Sequence, residues 1–195
     1  MTYKQLLSIL AIVLTFISFF PYIRSTMLGQ VKPHVFSWII WGITTLAVFA
    51  AQLQDRGGAG AWPIGVSGLI TMYVAFSAYL KKSEIIITKT DWIFLALALF
   101  SLPLWYLTAD PLSAVILLTL VEVLGFGPTI RKAYYFPFEE SLSFFIIIII
   151  RYLVSMAALD NYSLTTVLFP TAASISCFLL VLIVLYRRRT VGATR

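Results

Sequence analysis

Long apolar runs alternate with short polar segments along the whole chain, and the length of these runs predicts membrane-spanning helices. A bilayer core of about 30 Å requires about 20 residues of helix. Runs of that length lie at residues 5–23, 34–52, 61–80, 91–108, 111–130, 141–159 and 163–186. The sequence therefore predicts an all-α membrane protein with seven transmembrane helices.

Short segments rich in turn-forming residues connect the runs. Residues 55–60, 109–110 and 160–161 are examples, and no connection is long enough for a folded extramembrane domain. Hydrophobic residues make up 61% of the chain and charged residues 11%, with a mean hydropathy of +0.96. These values lie outside the range of soluble domains, so we expect the function to reside within the helical bundle.

Residue types that build many soluble active sites are scarce. The chain has one cysteine, Cys177, and one histidine, His34, which excludes an internal disulfide and clusters of cysteine or histidine around a metal. The net charge is +6, but the basic residues are scattered between apolar runs instead of forming a stripe. We therefore expect no enzyme activity, no catalytic residues, no cofactor, no metal and no nucleic-acid partner.

Basic residues in the connecting segments predict the orientation, because short cytoplasmic loops carry an excess of lysine and arginine. Lys4 and Arg56 fall on one side of the predicted bundle. The other side carries Arg24, Lys32, Lys81, Lys82, Lys89, Arg131, Lys132, Arg187, Arg188, Arg189 and Arg195. This split predicts that the N-terminus is outside and the C-terminus is cytoplasmic.

Helices one to three match helices five to seven at a nearly constant offset. Phe19 and Phe126 are 107 positions apart. The same offset relates Pro21 to Pro128, Ile23 to Ile130, Arg24 to Arg131, Pro63 to Pro170, Ser67 to Ser174 and Tyr79 to Tyr186. One helix separates the copies, so both have the same orientation. We expect two parallel three-helix bundles, at 1–82 and 110–195 with a basic cytoplasmic tail, joined by a linker helix at 83–109.

In this architecture the chain resembles the SWEET and PQ-loop superfamily of small-solute transporters. The resemblance covers nearly the whole chain and includes a proline near the inner end of the first helix of each repeat, Pro21 and Pro128. Where the family commonly has Pro-Gln, this sequence has Pro-Tyr and Pro-Thr. Sugar-carrying members present asparagines to the pore, whereas Asn161 here lies in an outer loop. The resemblance implies transport of a small solute.

Two ionisable side chains lie within the predicted spans, and such charges mark candidate functional sites because they are costly in a membrane. Glu122 and Arg151 both lie near mid-bilayer, and the repeat aligns them with Thr15 and Thr45, which lie on polar helix stripes. One interpretation is a central cavity, in which Arg151 binds an anionic or hydroxylated solute and Glu122 positions it or takes up a proton. The alternative is a structural salt bridge between helices five and six.

Further polar positions recur at helical spacing. Ser67 and Thr71 in helix three and Ser174 in helix seven are candidate pore-lining groups, although small hydroxyl residues also mediate helix contacts in lipid. Trp41 is a candidate for stacking on the solute. The prolines Pro21, Pro128 and Pro170 each remove a backbone donor within a predicted span and are candidate hinges.

These features favour a carrier of a small polar metabolite, such as a sugar, an amino acid or a vitamin. It would act by alternating access, as a uniporter or coupled to protons, because no nucleotide-binding motif is present. The alternative is a membrane receptor or scaffold on the same fold that binds without transport. We expect the solute and the lipid bilayer as partners, a possible homo-oligomer, and a bacterial inner (plasma) membrane as the location.

Overall fold

The computed structural model describes residues 1–81, 88–108 and 110–192. The described chain is helical, with α1 (Tyr3–Met27), α2 (Val35–Gln54), α3 (Trp62–Leu80), α4 (Lys89–Thr108), α5 (Pro111–Tyr135), α6 (Leu142–Ala157) and α7 (Leu164–Gly192). Short 3-10 helices occur at Gly58–Ala61 and Pro137–Glu139. The all-α class is confirmed, while Lys82, Ala109 and Arg195 lie outside the described residues.

Within the described residues, five helical segments are long and apolar enough to cross a membrane. They are Tyr3–Met27, Val35–Gln54, Gly58–Leu80, Pro111–Tyr135 and Leu164–Val191. Helix α6 is apolar but has 16 residues, about 24 Å at 1.5 Å per residue. Large apolar side chains such as Phe20 lie on the outside, whereas Arg151 and Gln52 are buried. Soluble proteins bury most large apolar side chains and expose charged ones, so the opposite arrangement supports an integral membrane protein.

Polar side chains cap the helices where the apolar runs begin. Thr2 and Gln5 form a reciprocal capping box at the start of α1. Asp110 accepts hydrogen bonds from the backbone N–H groups of Leu112 and Ser113, with Pro111 in the first turn of α5. His34, at the start of the predicted second span, is the N-cap residue of α2.

The three prolines predicted as hinges lie within continuous helices. Pro21 is in α1, Pro128 is in α5 and Pro170 is in α7. Each removes one backbone donor from a helix that continues on both sides of it. Pro63, in contrast, lies in the first turn of α3, where a proline costs no helical hydrogen bond.

Six of the helices form a ring. Its order is α1, α3, α2, α5, α7, α6 and back to α1, and α4 contacts α5 and α2. This order stays the same when α1 is exchanged with α5, α2 with α6 and α3 with α7. Side chains that point into the ring are therefore brought together from both halves of the chain.

The two ends of the ring differ in charge. We call one the basic end, which contains Lys32, Arg131, Lys132, Arg187 and Arg188. The opposite end contains Lys4, residues 55–60 and residues 160–163. The cations thus separate along the helix axes, as the sequence pattern predicts.

Gly60 allows the closest backbone approach at the opposite end. A Cβ atom there would lie 2.6 Å from the Ser155 carbonyl oxygen and 2.7 Å from the Leu159 nitrogen. We expect Gly60→Ala to lower the free energy of unfolding by about 1–3 kcal/mol, because backbone atoms cannot move aside as a side chain can. Thermal unfolding in detergent measures this effect.

Gly127 provides the matched control for this substitution. A Cβ atom at Gly127 meets no heavy atom within 4 Å, and the residue lies inside α5. Gly127→Ala should change stability by less than about 1 kcal/mol, because alanine favours helix over glycine while a Cβ next to the Pro128 ring opposes part of this gain. Equal losses in the two variants would contradict the close approach at Gly60.

Candidate functional site

A small cavity of about 40 Å³ lies inside the ring, and side chains from all six ring helices border it. Its lining combines polar and aromatic groups: Phe19, Trp38, Trp41, Thr45, Ser67, Thr71, Glu122, Phe126, Phe144, Phe145, Ile148, Arg151, Tyr152 and Cys177. Six of the residues proposed from sequence meet here, namely Trp41, Thr45, Ser67, Thr71, Glu122 and Arg151. The volume accommodates about three water molecules, so this conformation is too tight for a sugar.

Arg151 is the most deeply buried charged residue of the cavity. Its side chain has no exposed surface, and its Cζ atom lies 3.8 Å from the centroid of the Tyr152 ring. The Nε and Nη1 atoms have no hydrogen-bond acceptor among the described residues. The guanidinium is therefore stabilised by an aromatic face, while two of its nitrogens lack a protein acceptor.

Glu122 lines the same cavity, but its carboxylate is hydrogen-bonded to α2 and not to Arg151 on α6. Its Oε2 atom accepts a hydrogen bond of 2.5 Å from the Thr44 hydroxyl on α2. Within the described part of the chain it forms no ion pair with Arg151 at the 4.0 Å limit. The two charged groups share one cavity without contacting each other.

Trp41 contributes a third buried donor. The ring centroids of Trp41 and Phe126 are 4.6 Å apart, which holds the indole against α5. Its Nε1 atom is buried and finds no acceptor in the described chain. Trp41 thus lines the cavity that contains Arg151, and its unpaired indole N–H lies beside Gly125 of α5.

The hydroxyl residues proposed from sequence divide into two groups. Thr45, Ser67 and Thr71 line the cavity, although the Thr71 hydroxyl donates to the Ser67 carbonyl oxygen at 2.8 Å. Thr15 and Ser174 are absent from the lining. Their hydroxyls donate within their own helices, to the carbonyl oxygens of Ala11 and Pro170, so the structure does not bring these two residues to the cavity.

An aromatic cluster separates the cavity from the basic end. We define it by Phe19, Tyr22, Trp38, Phe144 and Phe145. Phe144 is at its centre, with ring centroids 5.0 Å from Phe19, 4.4 Å from Tyr22 and 5.7 Å from Trp38. Because these rings come from α1, α2 and α6, they close the cavity on this side only while the three helices stay together.

Beyond the aromatic cluster, ion pairs join the loops of the basic end. The Lys132 Nζ atom lies 2.8 Å from the Glu140 Oε1 atom and also donates to the Lys32 carbonyl oxygen. Lys32 lies 3.2 Å from Glu139, and the Arg188 guanidinium donates to the Glu140 carbonyl oxygen at 2.7 Å. The sequence pattern used these cations for orientation only and did not predict their contacts with Glu139, Glu140 and the backbone carbonyl oxygens.

Lys132 neutralises a buried carboxylate, so its removal should be costly. Glu140 is 4% exposed, and we expect Lys132→Ala to lower the free energy of unfolding by about 3–5 kcal/mol near neutral pH. Burial raises the pKa of Glu140 and the Lys132 ammonium opposes this rise. Without Lys132 the pKa should rise further.

This loss of stability should depend on pH in a defined direction. A carboxyl with a raised pKa in the folded state loses stability as the pH rises through that pKa. The deficit of Lys132→Ala should therefore shrink when thermal unfolding is measured near pH 5 instead of near pH 8. Lys4→Ala is the control, because its partner Asp160 is about half exposed and such pairs contribute less than about 1 kcal/mol. A deficit that does not change with pH would contradict this assignment.

The opposite end is closed by hydrogen bonds between two loops. The Asn161 amide donates to the Asp55 carbonyl oxygen at 3.0 Å, and the Ser163 hydroxyl donates to the Asp55 carboxylate. The Asp160 N–H donates to the Gly57 carbonyl oxygen at 3.2 Å. Nearby, the Gln52 amide donates to the Thr166 carbonyl oxygen at 2.7 Å. Contacts between the two halves of the chain thus close the bundle on this side as well.

The arrangement therefore offers a small cavity with a largely apolar wall, bordered by residues that carry three donors unpaired within the described chain and one carboxyl group. Among the residues that the structure describes, no three histidine, cysteine, aspartate or glutamate side chains are grouped closely enough to hold a metal ion. Binding of a small polar molecule is the chemistry that these groups support. No family model matches the chain, and no curated protein or solved structure matches it.

Proposed function

We propose that the protein is a membrane transporter that carries a small polar solute by alternating access. The observation that carries this proposal is a small cavity, bordered by Glu122 and Arg151, at the centre of a ring of helices, closed on one side by the aromatic cluster and on the other by hydrogen-bonded loops. Each closure joins helices from different halves of the chain. Separation at one end at a time would expose the cavity alternately to the two sides.

The ring supports the proposed 3+1+3 architecture with seven crossings. Its order is unchanged by exchange of α1–α3 with α5–α7, and the sequence offset of 107 positions relates the same helices. A rotation of one bundle against the other is the motion that such a parallel repeat allows. The basic end is proposed to be cytoplasmic, which places the N-terminus outside. These features also support the proposed relationship to the SWEET and PQ-loop superfamily.

The side chains of the cavity suggest distinct roles. Arg151 and Trp41 bind the solute through their unpaired N–H groups. Glu122 lies beside them without an ion-pair partner and is proposed to position the solute or to take up a proton. Pro21 and Pro128 lie on the basic-end side of the cavity, where the helices would bend, and Pro170 is the proposed third hinge.

Uptake into proteoliposomes tests the proposal. Purified protein is reconstituted, and radiolabelled sugars, amino acids, vitamins and small organic acids are offered with and without an inward proton gradient. Saturable uptake above that of protein-free liposomes is the expected result. Saturable binding of a solute in detergent without flux in either direction would replace the transporter with the receptor or scaffold alternative.

Glu122→Gln should separate a proton-coupled carrier from a uniporter. Glutamine keeps the shape of the side chain and can still accept the hydrogen bond from Thr44, but it cannot take up a proton. If uptake is proton-coupled, an inward proton gradient should stimulate the wild type and not Glu122→Gln. Solute exchange between the two sides without a gradient should persist in the variant. Equal stimulation of both proteins would exclude Glu122 as the coupling group.

A further inference from the structure

We infer that the solute is a compact carboxylate anion, held by the Arg151 guanidinium and the Trp41 indole N–H. This inference rests on the proposed transport function and adds the chemical class of the solute. It follows from three properties of the cavity: the type of hydrogen-bonding group, the charge and the size.

Among the fully buried side-chain atoms of the cavity lining, those without a hydrogen-bond partner in the described chain are all donors. They are Nε and Nη1 of Arg151 and Nε1 of Trp41, and neither residue is more than 6% exposed. A buried donor without an acceptor is destabilising by about 1–3 kcal/mol. An ionised carboxylate carries only acceptors, so it complements these groups. A sugar would add hydroxyl donors that need acceptors of their own.

The charge points to the same class of solute. The guanidinium stays protonated in proteins, and no carboxylate in the described chain lies within 4.0 Å of it. Glu122, which lines the same cavity, is hydrogen-bonded to Thr44 instead. A neutral solute would leave the guanidinium without a direct ion-pair partner, whereas an anion would supply one.

The size of the cavity limits the solute to a short molecule. The cavity measures about 40 Å³, and apolar side chains such as Phe126 and Ile148 form much of its wall. These walls suit a short carbon chain attached to the carboxylate. Large acids with several carboxylates would need more space and more cations.

Binding to the purified full-length protein in detergent tests the inference independently of transport. Lactate and its neutral counterpart lactamide have nearly the same shape and differ in charge. Titration calorimetry should detect lactate binding at least 10-fold tighter than lactamide binding. Comparable affinities, or binding of a neutral sugar with none for lactate, would overturn the assignment.

Two substitutions test the groups involved. Arg151→Gln keeps hydrogen-bond donors but removes the charge, so lactate affinity should fall about 100-fold while lactamide affinity changes little. Trp41→Phe keeps the ring and removes the N–H, and should weaken lactate binding about 10-fold. Trp62→Phe is the matched control, because Trp62 is 55% exposed at the start of α3. If Arg151→Gln does not fold, comparison of the lactate affinities of Trp41→Phe and Trp62→Phe still tests the role of the Trp41 indole N–H.

Binding in detergent and uptake into proteoliposomes together distinguish the proposed ligand class from the proposed transport function. Lactate binding that depends on Arg151 and Trp41, without uptake into proteoliposomes, would retain the ligand class and reject transport. Saturable uptake of a neutral solute that lactate does not inhibit would retain transport and reject the ligand class.

Discussion

Replacing Arg151 with leucine is expected to raise the stability of the protein while reducing solute uptake by at least about 100-fold. The wild-type guanidinium is fully buried, has no ion pair in the described chain and leaves two nitrogens without acceptors. Burial of a charge carries a desolvation cost of several kcal/mol, and an apolar side chain of similar size removes that cost. Thermal unfolding in detergent and proteoliposome uptake measure the two effects.

Arg188 provides a matched arginine outside the cavity. Its guanidinium donates to the carbonyl oxygens of Pro137 and Glu140, so Arg188→Leu should lower stability, because it removes hydrogen bonds that are formed. We expect Arg151→Leu to raise the free energy of unfolding and Arg188→Leu to lower it. A large loss of stability in Arg151→Leu would mean that the arginine is a structural residue, and the cavity would then lose its proposed binding group.

Phe144→Ala is expected to open the cavity towards the basic end. Phe144 contacts the four other rings of the aromatic cluster, and truncation of a buried phenylalanine lowers stability by about 3–5 kcal/mol. Cys177 is the single cysteine of the chain, is 3% exposed and lines the cavity. It therefore reports access without any engineered label. An impermeant maleimide should modify it at least 10-fold faster in the variant, from the side of the basic end.

Sealed vesicles of both orientations show the side from which the reagent enters. Phe20→Ala is the control, because Phe20 is 73% exposed on the outer surface of α1 and its removal leaves the aromatic cluster intact. Cys177→Ser in the Phe144→Ala background identifies the modified residue. Faster modification from the end opposite to the basic residues would show that the cluster does not close the basic end.

The positions of the helices could be predicted from hydropathy, but several helix ends could not. Helix α7 continues past Tyr186 to Gly192, because Arg187 finds an acceptor in the last turn of α5 and Arg188 finds one in the loop before α6. Helix α6 ends at Ala157, before the apolar run ends at Leu159. The order of helices around the ring is not encoded in hydropathy either, since every helix presents apolar side chains to several neighbours.

The charged residues of the cavity could be predicted because a charge in a membrane span is costly. The hydrogen-bond partner of Glu122 could not be predicted from the sequence. The sequence suggested Arg151 as its partner and selected Thr45 only as the repeat counterpart of Arg151, whereas Thr44, one position from Thr45, donates to the carboxylate. A shift of one residue rotates a position by about 100° around a helix, so a stripe of polar residues defines a face only coarsely. Likewise, the pair Lys132 and Glu140 depends on how a loop folds back on α5.

The hydrogen bonds that join residues 52–57 to residues 160–166 have a consequence for measured affinities. The four bonds named above connect the same two segments, so they break together when these segments separate. At about 1 kcal/mol each, they leave on the order of 0.1% of molecules accessible from that side. A solute arriving there would bind with an apparent Kd about a thousandfold weaker than its intrinsic value. Substitutions that loosen Asp55 should then tighten apparent binding without any contact to the solute.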